Sequence, residues 1–295
     1  MIEQFYDLKP QVLELDRKTL ELCRDQFAHL EEIRDYNQLK MLRAFTDCGV
    51  EARHFLGSTG YGVWDDSRNK LEEVFSRCMG AEDALVRPQF MSGTHTLTVA
   101  LFGLLRAGDT LLAATGRPYD TLEGVIGIGE AGKGCGTLQE YGIHYDEVPL
   151  LPDFTPDYAA IAEHAKTATV VHIQRSRGYT QRNAFDLDTI QKVADTARKA
   201  NPDVVIFVDN CYGEFTQIRE PLSAGADVSR AALSRTPAAA LPPLAAILPV
   251  KPTWWKKSAT VLPPPASART LAARRTACVI LSSASITPLA LCVKH

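Results

Sequence analysis

The run "DVVIFVDN" (203–210) carries an unbroken apolar, β-branched segment straight into the carboxylate of Asp209. Such a run suits a strand buried on both faces, a placement found in parallel sheets covered by helices. "DALVRP", "TLLAAT", "HYDEVPL" and "ATVVHIQ" precede it as further strands. Helical patterns lie between them from about Tyr119 to Ile128, near 157–166 and over 187–200. The alternation predicts an α/β domain with a mainly parallel sheet. Upstream, residues 11–46 place apolar side chains at helical spacing among charges, as amphipathic helices do. "DDSRNKLEEVFSRCMG" (65–80) adds an Asp-rich start, an apolar stripe and a glycine stop.

The pattern ends abruptly. All 35 Asp and Glu residues precede Ser229, whereas 229–295 hold no acid and no glycine, but nine of the 32 Lys and Arg and nine of the 17 prolines. The charge is −12 before this point and +9 after it. Three segments are therefore expected: an N-terminal helical part (1–60), an incomplete large domain (61–228), and a Pro/Ala-rich basic tail (229–295) without a fold of its own. The seven cysteines are odd in number and never spaced C-x-x-C, which argues against a disulfide framework or a metal site and for a reducing cytoplasm. "MIEQFYDLKPQ" shows no secretory signal, and "ACVILSSASITPLALCV" (277–293) reads as a by-product of the tail's composition rather than a membrane anchor. An alternative gives the tail a binding role, its nine bases contacting nucleic acid or membrane. Only Trp254 and Trp255 are aromatic there, and no regular helix presents a basic stripe, so neither partner is expected.

In sheets of this kind, sites gather beyond the C-terminal ends of the strands. Ser92, Gly93 and Thr94 bridge the first strand to an apolar helix, where free N–H groups, a glycine and hydroxyls suit a phosphate; capping alone also explains such residues. Tyr119 opens the next strand-to-helix turn, as a stacking ring or a half-buried packing residue. "QRSRGY" places Gln174, Arg175, Ser176 and Arg177 in an exposed polar cluster, a solvated loop or an anion contact. Asp209, at the end of a buried strand, is costly unless it meets a cation. "GIGEAGKG" (127–134) mimics both a dinucleotide fingerprint and a phosphate-binding loop, but it follows a helix, and Gly134 stands where Ser or Thr should be. It is read as a glycine loop.

Phosphate cradle, aromatic and strand-end carboxylate, in that order on an α/β sheet, resemble the parts of pyridoxal-phosphate enzymes of the aspartate-aminotransferase-like fold (fold type I). "HFLGSTGYGVWDDSR", "ALVRPQFMSGTHT", "LFGLLRAGDTLL", "GRPYDTLEGVIGI", "IQRSRGY" and "FVDNCYGEF" together resemble the methionine γ-lyase-like, or aluminium-resistance protein, branch of the Cys/Met-metabolism enzymes. The resemblance runs from about residue 10 to Asp227. It implies pyridoxal 5'-phosphate, a homotetramer, and carbon–sulfur elimination on sulfur amino acids. It further implies that Ser92, Gly93 and Thr94 hold the cofactor phosphate, that Tyr119 stacks on the ring and that Asp209 pairs with the pyridinium nitrogen. Tyr61 would reach a neighbouring subunit's phosphate. Gln174, Arg175 and Ser176 lie where relatives contact the cofactor's phenolic oxygen or the substrate, a choice left open among the three. Cys211 would pack beneath the cofactor.

The resemblance also demands a lysine for the Schiff base shortly after Gly225-Ala226-Asp227, in a string like S-L-I-K-N-P-G-G-G-L-A-P-T-G-G-Y-I-A. No lysine stands between Lys199 and Lys251. Ala232–Pro237 can be encoded GCC TTA TCA AGA ACC CCG, and the adjacent frame of those bases reads Leu-Ile-Lys-Asn-Pro. Continued through Pro249, that frame gives Gly-Gly-Gly-Leu-Ala-Pro-Thr-Gly-Gly-Tyr-Ile-Ala. The lysine codon would straddle Ser234 and Arg235. The tail is therefore read as a frameshifted product, the C-terminal small domain as absent and the chain as inactive.

Overall fold

The computed structural model describes residues 5–56, 65–86, 90, 92–130 and 134–231, with two further strands at 247–250 and 278–279. Helices α1 (Pro10–Leu22) and α2 (Arg24–Asp47) come first, then a short 3-10 turn (Ala52–Phe55) and α3 (Asp66–Met79). Strands and helices then alternate: β1 (Asp83–Val86), α4 (Gly93–Leu104), β2 (Thr110–Ala113), α5 (Asp120–Ile126), β3 (His144–Glu147), α6 (Tyr158–His164), β4 (Val170–Gln174), α7 (Leu187–Ala200) and β5 (Val205–Asp209). A 3-10 turn (Pro221–Ala224) leads into β6 (Val228–Arg230), and β7 (Ile247–Val250) and β8 (Cys278–Val279) complete the sheet. Its order is β1-β8-β7-β6-β5-β4-β2-β3, with β1 also pairing β7. The run β3-β2-β4-β5-β6 is parallel throughout, while β7 lies antiparallel to β1 and β6. The expected mainly parallel α/β sheet is what forms.

Alternation along the central strands divides the core. Val205 and Phe207 of β5 face one apolar layer, built with α2, α3, α4 and α5; Ile206 and Val208 face the other, built with α6 and α7. Helix α7 shows the cause: Leu187, Ile190, Val193, Ala194 and Ala197 recur at helical spacing and are all buried. Asp186 caps its start by accepting from the Thr189 N–H. Each large apolar side chain withdrawn from water this way contributes about 1.5–3 kcal/mol. The C-terminal part of α2 joins the first layer through Met41 and Ala44, and Met41 Sδ lies 3.3 Å from Cys78 Sγ of α3.

Helices α1 and α5 depart from the sequence pattern, and residues 229–295, expected to have no fold of their own, supply β7 and β8. The amphipathic stretch 11–46 divides at Cys23, and α1 buries none of its residues, leaving Val12, Leu15 and Leu20 exposed. Helix α5 stops at Ile126 rather than Ile128, because Gly127 takes a left-handed φ of 97°. Residues 131–133 of the glycine loop lie outside the described residues; just beyond it, Gly136 and Thr137 donate their N–H groups to the Glu140 carboxylate. Among the described residues no helix is long and apolar enough to cross a membrane.

Candidate active site

The C-terminal ends of β4 and β5, the turn after β2 and the N-termini of α4 and α5 frame a cavity of about 680 Å³. That volume suits a small-molecule ligand. Ser92, Gly93, Thr94, Tyr119, Ser176 and Asp209 all line it. Ser92 caps α4, its hydroxyl accepting from the His95 N–H at 3.1 Å. Gly93 and Thr94 open that helix, and Thr94 Oγ1 lies 2.9 Å from Thr121 Oγ1 on α5, which fastens the two N-termini together. Tyr119 precedes α5 and is fixed at both ends. Its N–H donates to Gln174 Oε1 at 2.7 Å, and its hydroxyl donates to Tyr179 at 2.9 Å, the two rings lying 5.3 Å apart. Tyr61, and the Ser234–Arg235 position where the lysine codon would lie, fall outside the described residues.

The "QRSRGY" segment corrects an expectation. In place of an exposed polar cluster, the structure buries Gln174 and Arg175. Gln174 ends β4 and spends its amide on the Tyr119 N–H and the Ser176 carbonyl. Arg175 donates to Phe185 O, Asn210 Oδ1, Gly213 O and Gln217 Oε1, so its guanidinium holds the loop after β5 and does not reach for an anion. A second buried arginine, Arg182, caps the carbonyls of Gln174, Arg175 and Ser176. Arg182 meets the carbonyls buried at the end of β4, which need donors, while Arg175 is covered from a distance in sequence by the loop after β5.

Asp209 ends β5, buried, and sits in register with Gln174 on one side and Arg230 on the other. Its Oδ1 accepts from the Cys211 N–H at 3.1 Å and from Arg230 Nη1 at 2.8 Å. The cation that Asp209 requires is thus supplied by the chain itself. Burial works against the Arg230 charge, but Asp209 and Cys211 outweigh it and hold the guanidinium above its ordinary range. Burial pushes the Cys211 thiol up, which suits packing and not nucleophilic attack. Beneath this pair, His172 of β4 is buried against Phe207, and burial brings it down to about 4 even though Asp209 opposes the shift. Sequence reasoning asked for a cation at Asp209 but did not find Arg230, which lies just past the composition break.

The chain as a whole is similar to known proteins. The sequence profile of the methionine gamma-lyase family matches residues 12–273. The chain belongs to that family. YnbB of Bacillus subtilis (strain 168) is 40% identical over 226 residues, spanning 76% of this chain and 53% of the relative. A carbon-sulfur lyase involved in aluminum resistance from Clostridium novyi NT has a solved structure with 38% identity and a TM-score of 0.83, covering 88% of this chain and 62% of that one. The chain therefore spans about half to three-fifths of the length of these relatives. The pyridoxal-5'-phosphate dependent protein YhfS from Escherichia coli shares the fold at 20% identity, with a TM-score of 0.53 over 72% of this chain and 54% of that one. The fold is the aspartate-aminotransferase-like α/β fold of this family.

Pyridoxal phosphate can be tested against the residues present. The walls suit it: a helix N-terminus with hydroxyls, a tyrosine ring and a strand-end carboxylate share one cavity. The anchor points do not. Arg230 already neutralises Asp209, and a Cβ built on Gly93 would land on Arg230 Nη2, so the same side chain covers the floor of the cradle. None of the described residues lining the cavity is a lysine. As this chain stands, the group does not fit.

Proposed function

We propose that the chain carries the framework of a pyridoxal-phosphate-dependent carbon–sulfur lyase acting on sulfur amino acids such as methionine or cystathionine, and that this copy does not perform the reaction. The observation behind both halves is the cavity that gathers Ser92, Gly93, Thr94, Tyr119, Ser176 and Asp209 yet has no lysine among its described lining. Within the framework, Ser92, Gly93 and Thr94 are the phosphate cradle, Tyr119 the stacking ring and Asp209 the partner of the ring nitrogen. Tyr61 is proposed to reach a neighbouring subunit. Of Gln174, Arg175 and Ser176, the first two are engaged in holding the backbone, which favours Ser176 as the ligand contact. The exposed apolar positions of α1 and α2, among them Leu15, Phe27 and Leu30, are consistent with a homo-oligomer, and the cytoplasm is its proposed location.

The missing lysine follows from a frameshift near Val228–Arg230, with its codon straddling Ser234 and Arg235. The test compares the purified chain with one whose frame is restored, each given methionine, cystathionine and cysteine, with thiol and keto-acid release as the readout. Loss of a positioned base alone lowers turnover by about 10²–10⁴-fold. Turnover by this chain matching the restored one, or a borohydride-sensitive visible band in its spectrum, would contradict the proposal.

A further inference from the structure

We propose that Arg230 is a built-in occupant of this cavity: its guanidinium takes the cation's place at Asp209 and the space over Gly93, and it keeps out a small aromatic phosphate with a protonated ring nitrogen. This rests on reading the cavity as the family's cofactor site.

Strand register sets the pairing. Asp209 and Arg230 are directly paired residues on the adjacent strands β5 and β6, so a long side chain at 230 lies beside the carboxylate without any loop having to move. Both side chains are almost fully buried, and the ion pair is 2.8 Å long. Bare Gly93 matters next. The three atoms nearest to a Cβ built on it are all from the Arg230 guanidinium, so the glycine's open space at the start of α4 is already filled. A guanidinium ordinarily attracts phosphate, but this one is already neutralised by Asp209 and fills the space over Gly93 itself, so a phosphate reaches the α4 N–H groups only if Arg230 moves away.

Charge points the same way. With Arg230 in place the buried pair is neutral, so an arriving pyridinium would bring a second cation to a carboxylate whose charge is already met, through Oδ1, by the guanidinium. The fit of the occupant is incomplete: Arg230 Nε is buried and has no hydrogen-bond partner among the described residues. An unmet buried donor on a charged group calls for an explanation, and a slot shaped for another group supplies one. The rest of the cavity, walled by Tyr119, Ser176 and Tyr179, stays open, so exclusion acts at the two anchor points.

Pyridoxine 5'-phosphate is a suitable probe, since it has the ring nitrogen and the phosphate but no aldehyde to react with surface lysines. Equilibrium dialysis of the full chain should show Arg230→Met binding it at least about tenfold more tightly than the unaltered chain, with Arg230→Lys staying near the latter. Because Arg230→Met leaves Asp209 buried without a cation, a second variant, Arg230→Gln, keeps a neutral donor beside the carboxylate while removing the guanidinium; it should also gain binding if the Met variant does not fold. Equal binding by the unaltered chain and a folded variant overturns the proposal. The frame-restored chain separates the two readings. If it binds the probe while the folded Arg230 variants do not, Arg230 is not the barrier; if it too fails to bind, the cofactor-site reading fails.

Discussion

Arg175 and Arg230 flank the end of β5, one just beyond β4 and the other closing β6, and both are nearly fully buried. Their surroundings differ. Arg175 donates to five neutral acceptors from two loops and draws residues 185 and 210–217 around itself. Arg230 makes one ion pair with Asp209, lies beside Cys211, and has no hydrogen-bond partner for Nε among the described residues. The first is a guanidinium around which a loop is built; the second fills a position whose other walls are made for something else. Equal burial thus says little about whether a charge belongs to its site. The number and geometry of the partners decide that.

The largest expected effect separates the two arginines. Arg175→Met strands several buried acceptors at once, at about 1–3 kcal/mol each, for a loss upwards of about 4 kcal/mol in urea unfolding. Asp209→Asn combined with Arg230→Met removes a whole ion pair and should stay within about 2 kcal/mol of the parent. Similar losses for the two would erase the distinction.

pH sharpens it further, because each region has its own titrating group. On the Arg230 side, burial holds His172 at about 4. Its unfolded value is higher, so its stabilisation is present above about pH 6.5 and is lost as pH falls through about 4, a swing of about 3 kcal/mol. On the Arg175 side, burial raises Glu220 to about 7, against the pull of Lys40, the Phe215 N–H, Arg175 and Asn210. Its contribution is present below about pH 4.5 and is lost as pH rises through about 7, a swing of similar size and opposite sign. The two nearly cancel in the parent chain. Urea midpoints from pH 4 to 8 should therefore slope upward with pH in Glu220→Gln and downward in His172→Leu. Parallel, flat profiles in both would show that these groups do not titrate as their burial implies. The smallest effect belongs to the cradle: Ser92→Ala removes the cap of α4 and should cost about 1 kcal/mol.

Much of this architecture was legible in the residues. The β-branched runs ending at Gln174 and Asp209 marked β4 and β5, and the stripe from Leu187 to Ala197 marked α7 with its bounds. These features are local, with a period and a stop. What escaped was non-local. Nothing around Arg175 reveals that Gly213 and Gln217 will close over it, because those contacts bridge about 40 positions of sequence. Strand β6 is three residues long and crosses the composition break, so Arg230 looked like the first base of a tail rather than the partner of Asp209. The requirement for a cation at Asp209 was readable from burial alone; which cation meets it was not.

The central claim is that a lyase framework runs into a segment read out of frame, leaving Arg230 where a ligand's charge belongs. Its most direct test is the nucleotide sequence across codons 225–236. The account predicts that, past a net loss of one base near codons 228–230, the adjacent frame spells Ser-Leu-Ile-Lys-Asn-Pro. A clean read in which no adjacent frame yields that string would contradict it.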